Sequence, residues 1–313
     1  MNFQDLKKIE NADFYIDLAF RKATDRSAQL RGQTMRCTKL EKSRKIEILK
    51  IETIKDVLSN QMDKITKSFP SIDTLPEFYQ ELIKCTLDYV ALKKSLGGVN
   101  WARTKTIEFS NEVIRKIRRA HSIDIINRLR REYYGRAASF IKQIRDELKY
   151  IENARRTMKG FPAVKEMFTV SIAGFPNVGK STLLTKITSS NPEINSYPFT
   201  TKGIMVGYYD NIQLLDTPGT LNRFNKMNYI EKQAYLAIKY VSNVVIYIFD
   251  PTLEYSLAEQ EKLFKKIKEF DKPIIVYASK KDIAEKEVFD KIAKKYKAIT
   301  DAKELIKKIN SFV

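Results

Sequence analysis

The chain has 313 residues, and 43% of them are apolar, which is ordinary for a globular protein and long enough for two domains. No run of 18 apolar residues exists, so no membrane span is expected, and the N-terminus lacks the apolar core of a signal peptide, which favours the cytoplasm. With only two cysteines the chain cannot form a disulfide framework. Two cysteines and one histidine are also too few for a typical zinc site, and a single histidine makes histidine-based catalysis less expected.

Positive charge is unevenly distributed. The formal net charge is +19: residues 1–160 carry 34 Lys and Arg against 21 Asp and Glu, and residues 161–313 carry 23 against 17. A basic excess on one part of the chain favours a polyanionic partner, above all nucleic acid. The alternative is a lysine-rich solvated surface of the kind found in heat-adapted proteins.

Residues 1–160 are predicted to form a separate all-α helical bundle. Apolar residues recur at helical spacing throughout, and strand signals are weak. The expected helices run from Asn11 to about Leu30, from Cys37 to Phe69, from Thr74 to about Leu96, and from Asn100 to Lys159 in two pieces that meet near His121. Pro70 should end the second helix and Gly97-Gly98 the third, since neither residue type favours a helix interior.

The densest basic region of this bundle is a candidate surface for RNA phosphates, because Arg suits bidentate phosphate contacts. Its residues are Arg115, Lys116, Arg118, Arg119, Arg128, Arg130 and Arg131. Tyr133 and Tyr134 follow as possible groups for base stacking. A solvated helix face that pairs with nearby carboxylates explains the same pattern equally well.

Residues 161–313 alternate strand and helix patterns, which predicts an α/β domain with a mostly parallel, doubly wound sheet. The expected strands are Met167–Ala173, Gly203–Tyr209, Ile212–Leu215, Val244–Phe249, Pro273–Ala278 and Lys297–Thr300. The second and third strands flank Asp210-Asn211 and read as an antiparallel hairpin. Helices are expected near Thr182–Ser189, Asn228–Val241, Ser256–Phe270, Glu285–Tyr296 and Ala302–Phe312.

The segment Gly174–Ser181 fits G-x-x-x-x-G-K-[ST], the phosphate-binding loop, between a predicted strand and a predicted helix. Its backbone N–H groups and the helix N-terminus should bind phosphates, Lys180 should reach the β- and γ-phosphates, and the Ser181 hydroxyl should ligate Mg²⁺. The expected nucleotide contacts in this stretch are Gly174, Phe175, Pro176, Asn177, Val178, Gly179, Lys180, Ser181 and Thr182.

Two further segments complete a predicted nucleotide switch. Asp216 follows an apolar strand and is expected to hold Mg²⁺ through water, and the Gly219 N–H can meet a γ-phosphate. Thr201, or alternatively Thr200, lies where a first switch loop belongs and should complete the metal shell. Lys180, Thr201 and Gly219 are the expected catalytic residues.

The base-recognition segment is Ser279-Lys280-Lys281-Asp282, after the predicted fifth strand. The Asp282 carboxylate can accept two hydrogen bonds from guanine, which adenine does not offer, and Lys280 should lie against the base. This motif usually begins with Asn or Thr, so Ser279 predicts somewhat weaker affinity. The last guanine-contacting loop has no clear signature, and a backbone contact at Thr300 is expected. GTP and GDP are therefore the predicted ligands.

At Gly-Phe-Pro-Asn-Val-Gly-Lys-Ser, Tyr-Pro-Phe-Thr-Thr-Lys and Asp-Thr-Pro-Gly the chain resembles the Obg-related GTPases. Phe-Pro-Ala-Val and Ala-Ser-Phe-Ile-Lys-Gln-Ile-Arg narrow the resemblance to the Nog family of nucleolar G proteins, in a short archaeal-type form. The resemblance implies a GTPase that assists assembly of the large ribosomal subunit, with its helical domain on rRNA and ribosomal proteins. A monomer is expected.

Hydrolysis is predicted to be slow, because Thr220 stands where many GTPases carry a water-positioning Gln. The resemblance implies K⁺ as one missing group, since Asn177 matches the residue used by potassium-activated relatives. Ribosomal particles are the other candidate. Two alternative functions remain open: an RNA-binding scaffold with little turnover, and a signalling or trafficking GTPase whose helices bind proteins.

Overall fold

The computed structural model describes residues 3–32, 37–188, 204–217 and 229–313, with only the backbone described at 229 and 230. The chain divides into two compact units. The helical unit comprises Gln4–Ser71 and Leu87–Lys159, and the α/β unit comprises Phe3, Ile72–Thr86 and Gly160–Val313. Residues 72–86 thus group with the α/β unit, whereas the sequence suggested one boundary after residue 160.

The helical unit is a bundle, as predicted. Its helices are α1 (Ala12–Arg31), α2 (Lys39–Ser68), α4 (Tyr89–Arg119), α5 (Ile123–Gln143) and α6 (Arg145–Lys159). Side-chain caps define four of the starts: Asn11, Thr38, Asp88 and Ser122 each accept a hydrogen bond from a backbone N–H in the first turn. In α2 the cap is reciprocal, because Glu41 accepts from the Thr38 N–H in return.

The helix boundaries around Gly97-Gly98 differ from the sequence prediction. The expected third helix is instead α3 (Glu77–Thr86), and α4 begins after Asp88 and continues through both glycines. The Asp88 carboxylate accepts a hydrogen bond from the Ala91 N–H at 2.9 Å, and this cap stabilises the start of α4 at Tyr89. A Cβ on Gly98 would lie 3.2 Å from Glu147 Cγ, so this glycine allows α4 and α6 to pack closely rather than ending a helix.

A buried ion cluster joins the N-terminal segment to α6. Glu152 accepts from the Ile9 N–H at 3.0 Å, from Arg155 Nε at 2.7 Å and from Arg156 Nε at 2.9 Å. Burial by itself raises the pKa of Glu152, but these donors outweigh it and bring the pKa to about 2. Arg155 also donates to the Leu6 carbonyl at 3.2 Å, so the cluster fixes the chain ahead of α1.

The α/β unit is a five-stranded sheet in the order β2-β3-β1-β4-β5. The strands are β1 (Phe168–Ala173), β2 (Met205–Tyr209), β3 (Ile212–Asp216), β4 (Val244–Phe249) and β5 (Ile274–Ala278). All neighbouring pairs are parallel except the β2–β3 hairpin, as predicted. The expected sixth strand is reduced to a single bridge between Tyr277 and Ile299.

Helices cover both faces of this sheet. One apolar cluster joins the sheet to α7 (Lys180–Thr188) and α11 (Ala302–Asn310), and a second joins it to α8 (Tyr229–Tyr240), α9 (Leu257–Lys268) and α10 (Lys286–Tyr296). Helix α3 packs on α8, and the Tyr79 hydroxyl donates to the Pro162 carbonyl at 2.9 Å. Within the described ranges, no helix combines the length and apolarity needed to cross a bilayer.

Candidate nucleotide site

The phosphate loop connects β1 to α7, and its backbone conformation favours glycine at two positions. Gly174 has φ +150° and Gly179 has φ +94°. A Cβ on Gly174 would lie 2.9 Å from the Ile248 carbonyl oxygen, closer than real Cβ contacts. Asn177 is left-handed at φ +61°, which Asn tolerates better than most residues. The loop therefore turns tightly in front of the N-terminus of α7, where backbone N–H groups are available for an anion.

Lys180, the first residue of α7, is buried beneath this loop. Its Nζ donates to the Phe175 carbonyl at 2.7 Å, across the loop. Burial lowers the pKa of Lys180, although the Asp216 carboxylate acts in the opposite direction. Among the described residues, the buried ammonium group donates to one neutral acceptor. It is suited to an anionic ligand, because a phosphate would stabilise its charged form.

Ser181 and Asp216 form the metal-binding candidate of the site. Asp216 is the last residue of β3, opposite Ile172 of β1, and its Oδ2 accepts a short hydrogen bond from the Ser181 hydroxyl. Its Oδ1 is buried and has no partner among the described atoms. Burial raises the pKa of Asp216, while Ser181 and Lys180 lower it. A buried carboxylate oxygen without a partner, beside a hydroxyl, matches the oxygen ligands that Mg²⁺ prefers.

Thr217 fixes the end of β3. Its N–H and its hydroxyl both donate to the Ile172 carbonyl, at 3.1 Å and 2.7 Å. Since β1 leads directly into the phosphate loop, these bonds hold Asp216 at the same edge of the sheet as Ser181.

The base-recognition segment begins directly after β5 and lies against the phosphate loop. The Ser279 N–H and hydroxyl both donate to the Phe249 carbonyl, at 3.0 Å and 3.2 Å. A Cβ on Gly179 would lie 3.9 Å from Ser279 Cβ. Lys280 has φ +51°, and its Nζ donates to Asp250 Oδ2 at 2.6 Å. Asp282 is exposed.

Thr300 lies on the segment that runs alongside the end of β5, next to the base-recognition segment. The Ala278 N–H donates to the Ile299 carbonyl at 3.0 Å, and the Tyr277 hydroxyl approaches the Thr300 carbonyl at 3.4 Å. The backbone near Thr300 therefore runs next to the start of the base-recognition segment, where a contact with guanine is predicted.

Four of the predicted residues, Thr200, Thr201, Gly219 and Thr220, lie outside the described residues. The third metal ligand, the contact with the γ-phosphate and the position of the attacking water therefore stay predictions. The part of the site that the structure describes is the phosphate loop, Asp216 and the base-recognition segment.

Sequence reasoning missed the loop Asp250–Tyr255, which follows β4. Asn177 Nδ2 donates to Glu254 Oε1 at 3.1 Å, and the rings of Phe175 and Tyr255 stack with centroids 4.4 Å apart. The position of Asp250 at the carboxyl end of a parallel strand is a signal that could have identified this loop, because ligands of such sheets bind at that edge.

The basic residues of the helical unit are mostly exposed. Six residues of this region are exposed: Arg115, Lys116, Arg118, Arg119, Arg128 and Arg131. Lys116 also pairs with Glu112 at 2.6 Å, and the half-buried Arg130 contacts the buried Glu47 at 3.4 Å. Tyr133 is fully buried, with its hydroxyl 2.9 Å from that of Ser110, so the suggestion that it stacks on a base is wrong. Arg115 and Arg118 also line a cleft of ≈ 520 Å³ between α2 and α4, whose lining is of mixed charge because it includes Lys55, Glu52 and Glu108.

Two family models match the chain. The model described as the NOG1 N-terminal helical domain matches residues 3–165, and that of a 50S ribosome-binding GTPase matches residues 169–280. The second match covers the phosphate loop, Asp216 and the start of the base-recognition segment. The α/β unit is therefore the GTPase domain of a P-loop enzyme that hydrolyses GTP.

Several individual proteins are similar in sequence to the chain. An uncharacterized protein of Methanocaldococcus jannaschii, MJ1408, is 42% identical over 252 residues, which is 79% of this chain and 72% of that protein. Nucleolar GTP-binding protein 1 of Drosophila melanogaster is 30% identical over 90% of this chain and 44% of that protein, and the Candida glabrata protein is 29% identical over 93% and 46%. The chain thus spans about half the length of these nucleolar relatives.

Among solved structures, Era from Aquifex aeolicus bound to GDP·AlF4⁻ aligns over 46% of this chain and 56% of that chain, with a TM-score of 0.36 and 27% identity.

Proposed function

The chain belongs to the NOG1 family, and we propose that it is a GTP-dependent switch in assembly of the large ribosomal subunit, with slow intrinsic hydrolysis. One observation carries this proposal: the chain combines a phosphate loop with a helical domain that matches the NOG1 model and bears exposed arginines. Beside the phosphate loop, Ser181 and Asp216 provide a hydroxyl and a carboxylate that could bind Mg²⁺. The proposal places the protein in the cytoplasm, with GTP, GDP, rRNA and ribosomal proteins as its partners.

Guanine recognition is assigned to Asp282, with Lys280 against the base. Lys280 already has a carboxylate partner in Asp250, so its aliphatic stem rather than its charge would face the ring. Competition for bound fluorescent GDP tests this assignment, since GTP should displace it and ATP should not. Displacement by ATP at the same concentration would refute guanine specificity.

Magnesium is assigned to Ser181 and Asp216, with Thr201 or Thr200 as a further ligand. When bound, Mg²⁺ neutralises charge on the β- and γ-phosphates. Ser181 supplies a hydroxyl oxygen, Asp216 supplies its carboxylate, and Lys180 stabilises the phosphates from below the loop. GTP should hold the segments at Thr201 and Gly219, and hydrolysis should release them.

Hydrolysis needs a further group, because position 220 is Thr. K⁺ bound through Asn177 is one candidate, and equal turnover in potassium and sodium buffers would exclude it. A group from ribosomal particles is the other candidate. Turnover is then expected to rise when large-subunit precursors are added, with Lys180→Ala as the inactive control. Equally slow turnover with and without particles would favour the scaffold function instead.

rRNA contact is assigned to the exposed arginines of α4 and α5. Replacing Arg118, Arg119 and Arg131 by Ser should weaken RNA binding and flatten its dependence on salt, because each phosphate contact releases counterions. A charge-matched control replaces the exposed Arg21, Lys22 and Arg26 of α1. Arg130 is left intact, because its removal would take a partner from the buried Glu47. Equal effects of the two triple variants would show that RNA binding is wrongly assigned to this surface.

A further inference from the structure

The loop Asp250–Tyr255, called the β4 loop below, contacts both halves of the nucleotide site. It touches the phosphate loop through Glu254 and Tyr255 and the base-recognition segment through Asp250. Glu254 is at the junction, because its carboxylate oxygens lie 3.1 Å from Asn177 Nδ2 and 3.7 Å from Lys280 Nζ. We propose that Glu254 is a positioning residue that holds the phosphate loop in its nucleotide-binding conformation through Asn177.

Hydrogen bonds to α9 fix the β4 loop independently of the phosphate loop, so the β4 loop can hold Glu254 in place beside Asn177. Gln260 of α9 is fully buried, and its Nε2 donates to the carbonyls of both Asp250 and Tyr255, at 2.9 Å and 2.8 Å. Its Oε1 accepts from the Asp250 N–H at 2.8 Å. The N–H and hydroxyl of Thr252 both donate to Asp250 Oδ1. The two ends of the loop are therefore tied to α9 without any contribution from the Glu254 side chain.

The contact with Asn177 has a defined polarity. A carboxylate only accepts hydrogen bonds, so the amide nitrogen of Asn177 must face Glu254 and the amide oxygen must face away from it. Asn177 is also left-handed at φ +61°, a conformation that L-residues adopt at a cost. The bond from Glu254 therefore stabilises both the backbone turn and the side-chain orientation of a residue in the phosphate loop.

The charge of Glu254 matters less than its acceptor oxygen. Lys280 already donates to Asp250 Oδ2 at 2.6 Å, and Asp250 is fully buried, so the more distant and 44% exposed carboxylate of Glu254 adds little to that ion pair. The roles of the charge and of the acceptor oxygen can be tested separately, because Gln at position 254 keeps an acceptor for Asn177 while it removes the charge beside Lys280.

The experiment measures dissociation of fluorescent GDP from the full chain in the presence of Mg²⁺. Glu254→Ala should speed dissociation about two- to fivefold, the range expected for one solvent-exposed hydrogen bond. Glu254→Gln should stay close to the wild type. Asn177→Gly keeps the left-handed backbone but removes the bond, and in sodium buffer, which excludes the proposed K⁺ contact of Asn177, it should speed dissociation at least as much as Glu254→Ala. The double variant Asn177→Gly/Glu254→Ala should be no faster than the faster single variant.

Three results would overturn the inference: unchanged dissociation in Glu254→Ala, a Glu254→Gln variant as fast as Glu254→Ala, or effects that multiply in the double variant. Melting temperatures without nucleotide should agree within about 2 °C, since the altered side chains are exposed. The inference rests on guanine-nucleotide binding. Failure of the wild type to bind GDP would refute the proposed function, whereas wild-type binding with unaltered variants would refute only the role of Glu254.

Discussion

Gly174→Ala tests the geometry of the phosphate loop most severely. The new Cβ would lie 2.9 Å from the Ile248 carbonyl oxygen and 3.1 Å from Val178 Cγ2, at a φ of +150°. A φ in this region costs a residue with a Cβ about 1–3 kcal/mol, and overpacking against backbone adds about 1–3 kcal/mol. A total of about 4 kcal/mol, the middle of this range, corresponds to a melting temperature about 8–16 °C lower for a unit of this size. The clash can be relieved only by moving the phosphate loop away from β4.

The assay is thermal melting without nucleotide, together with the affinity for fluorescent GDP, which should fall at least about tenfold if the loop moves. Gly97→Ala is the matched control, because its Cβ would have no atom within 4 Å in the interior of α4. That change should stabilise the helical unit by about 0.5–1 kcal/mol. A Gly174→Ala variant with the melting temperature and GDP affinity of the wild type would refute this reasoning.

Three further substitutions have expected outcomes. Burial raises the pKa of Asp216, so its ionised form destabilises the fold at neutral pH. Asp216→Asn should therefore raise the melting temperature of the metal-free protein, and it should abolish stabilisation by Mg²⁺ with GDP. A lower melting temperature of the metal-free variant would contradict this. The pKa of Glu152 is lowered to about 2 from 4.5, so its contribution is present above pH 4.5 and lost as the pH falls toward 2. Glu152→Gln should therefore melt earlier than the wild type at pH 7, and the difference should shrink in acid melts. Tyr133→Phe removes the contacts of its hydroxyl with Ser110 at 2.9 Å and with the Ile51 carbonyl at 3.4 Å, and it should cost about 1 kcal/mol in urea unfolding. An unchanged midpoint would show that these buried contacts contribute nothing.

The placement of some candidate site residues could be predicted, because it depends on local sequence patterns and on the order of the strands. Gly174 is required by the turn itself, and Asp216 follows an apolar strand whose neighbour leads into the phosphate loop, so topology alone brings it to Ser181. The hairpin before Asp216 was equally predictable, because two strand-like segments flank the two-residue turn Asp210-Asn211.

The parts that were not predicted depend on contacts between distant residues. Gly97-Gly98 looked like a helix end, but close packing against Glu147 keeps the helix intact through both glycines. Glu254 has no motif around it, and its position beside Asn177 depends on how Gln260 ties the β4 loop. Tyr133 had the residue type for base stacking, yet its side chain faces the interior of the bundle, where its hydroxyl lies 2.9 Å from that of Ser110.

Cosedimentation with purified large ribosomal subunits tests the proposed switch most directly. The wild-type chain should pellet with the subunits when it is loaded with a non-hydrolysable GTP analogue and should stay in the supernatant when it is loaded with GDP. Lys180→Ala should show no such dependence on nucleotide, since the proposed contact of Lys180 with phosphate would be lost. Equal binding in the two nucleotide states, or no binding to subunits in either state, would contradict the proposed function.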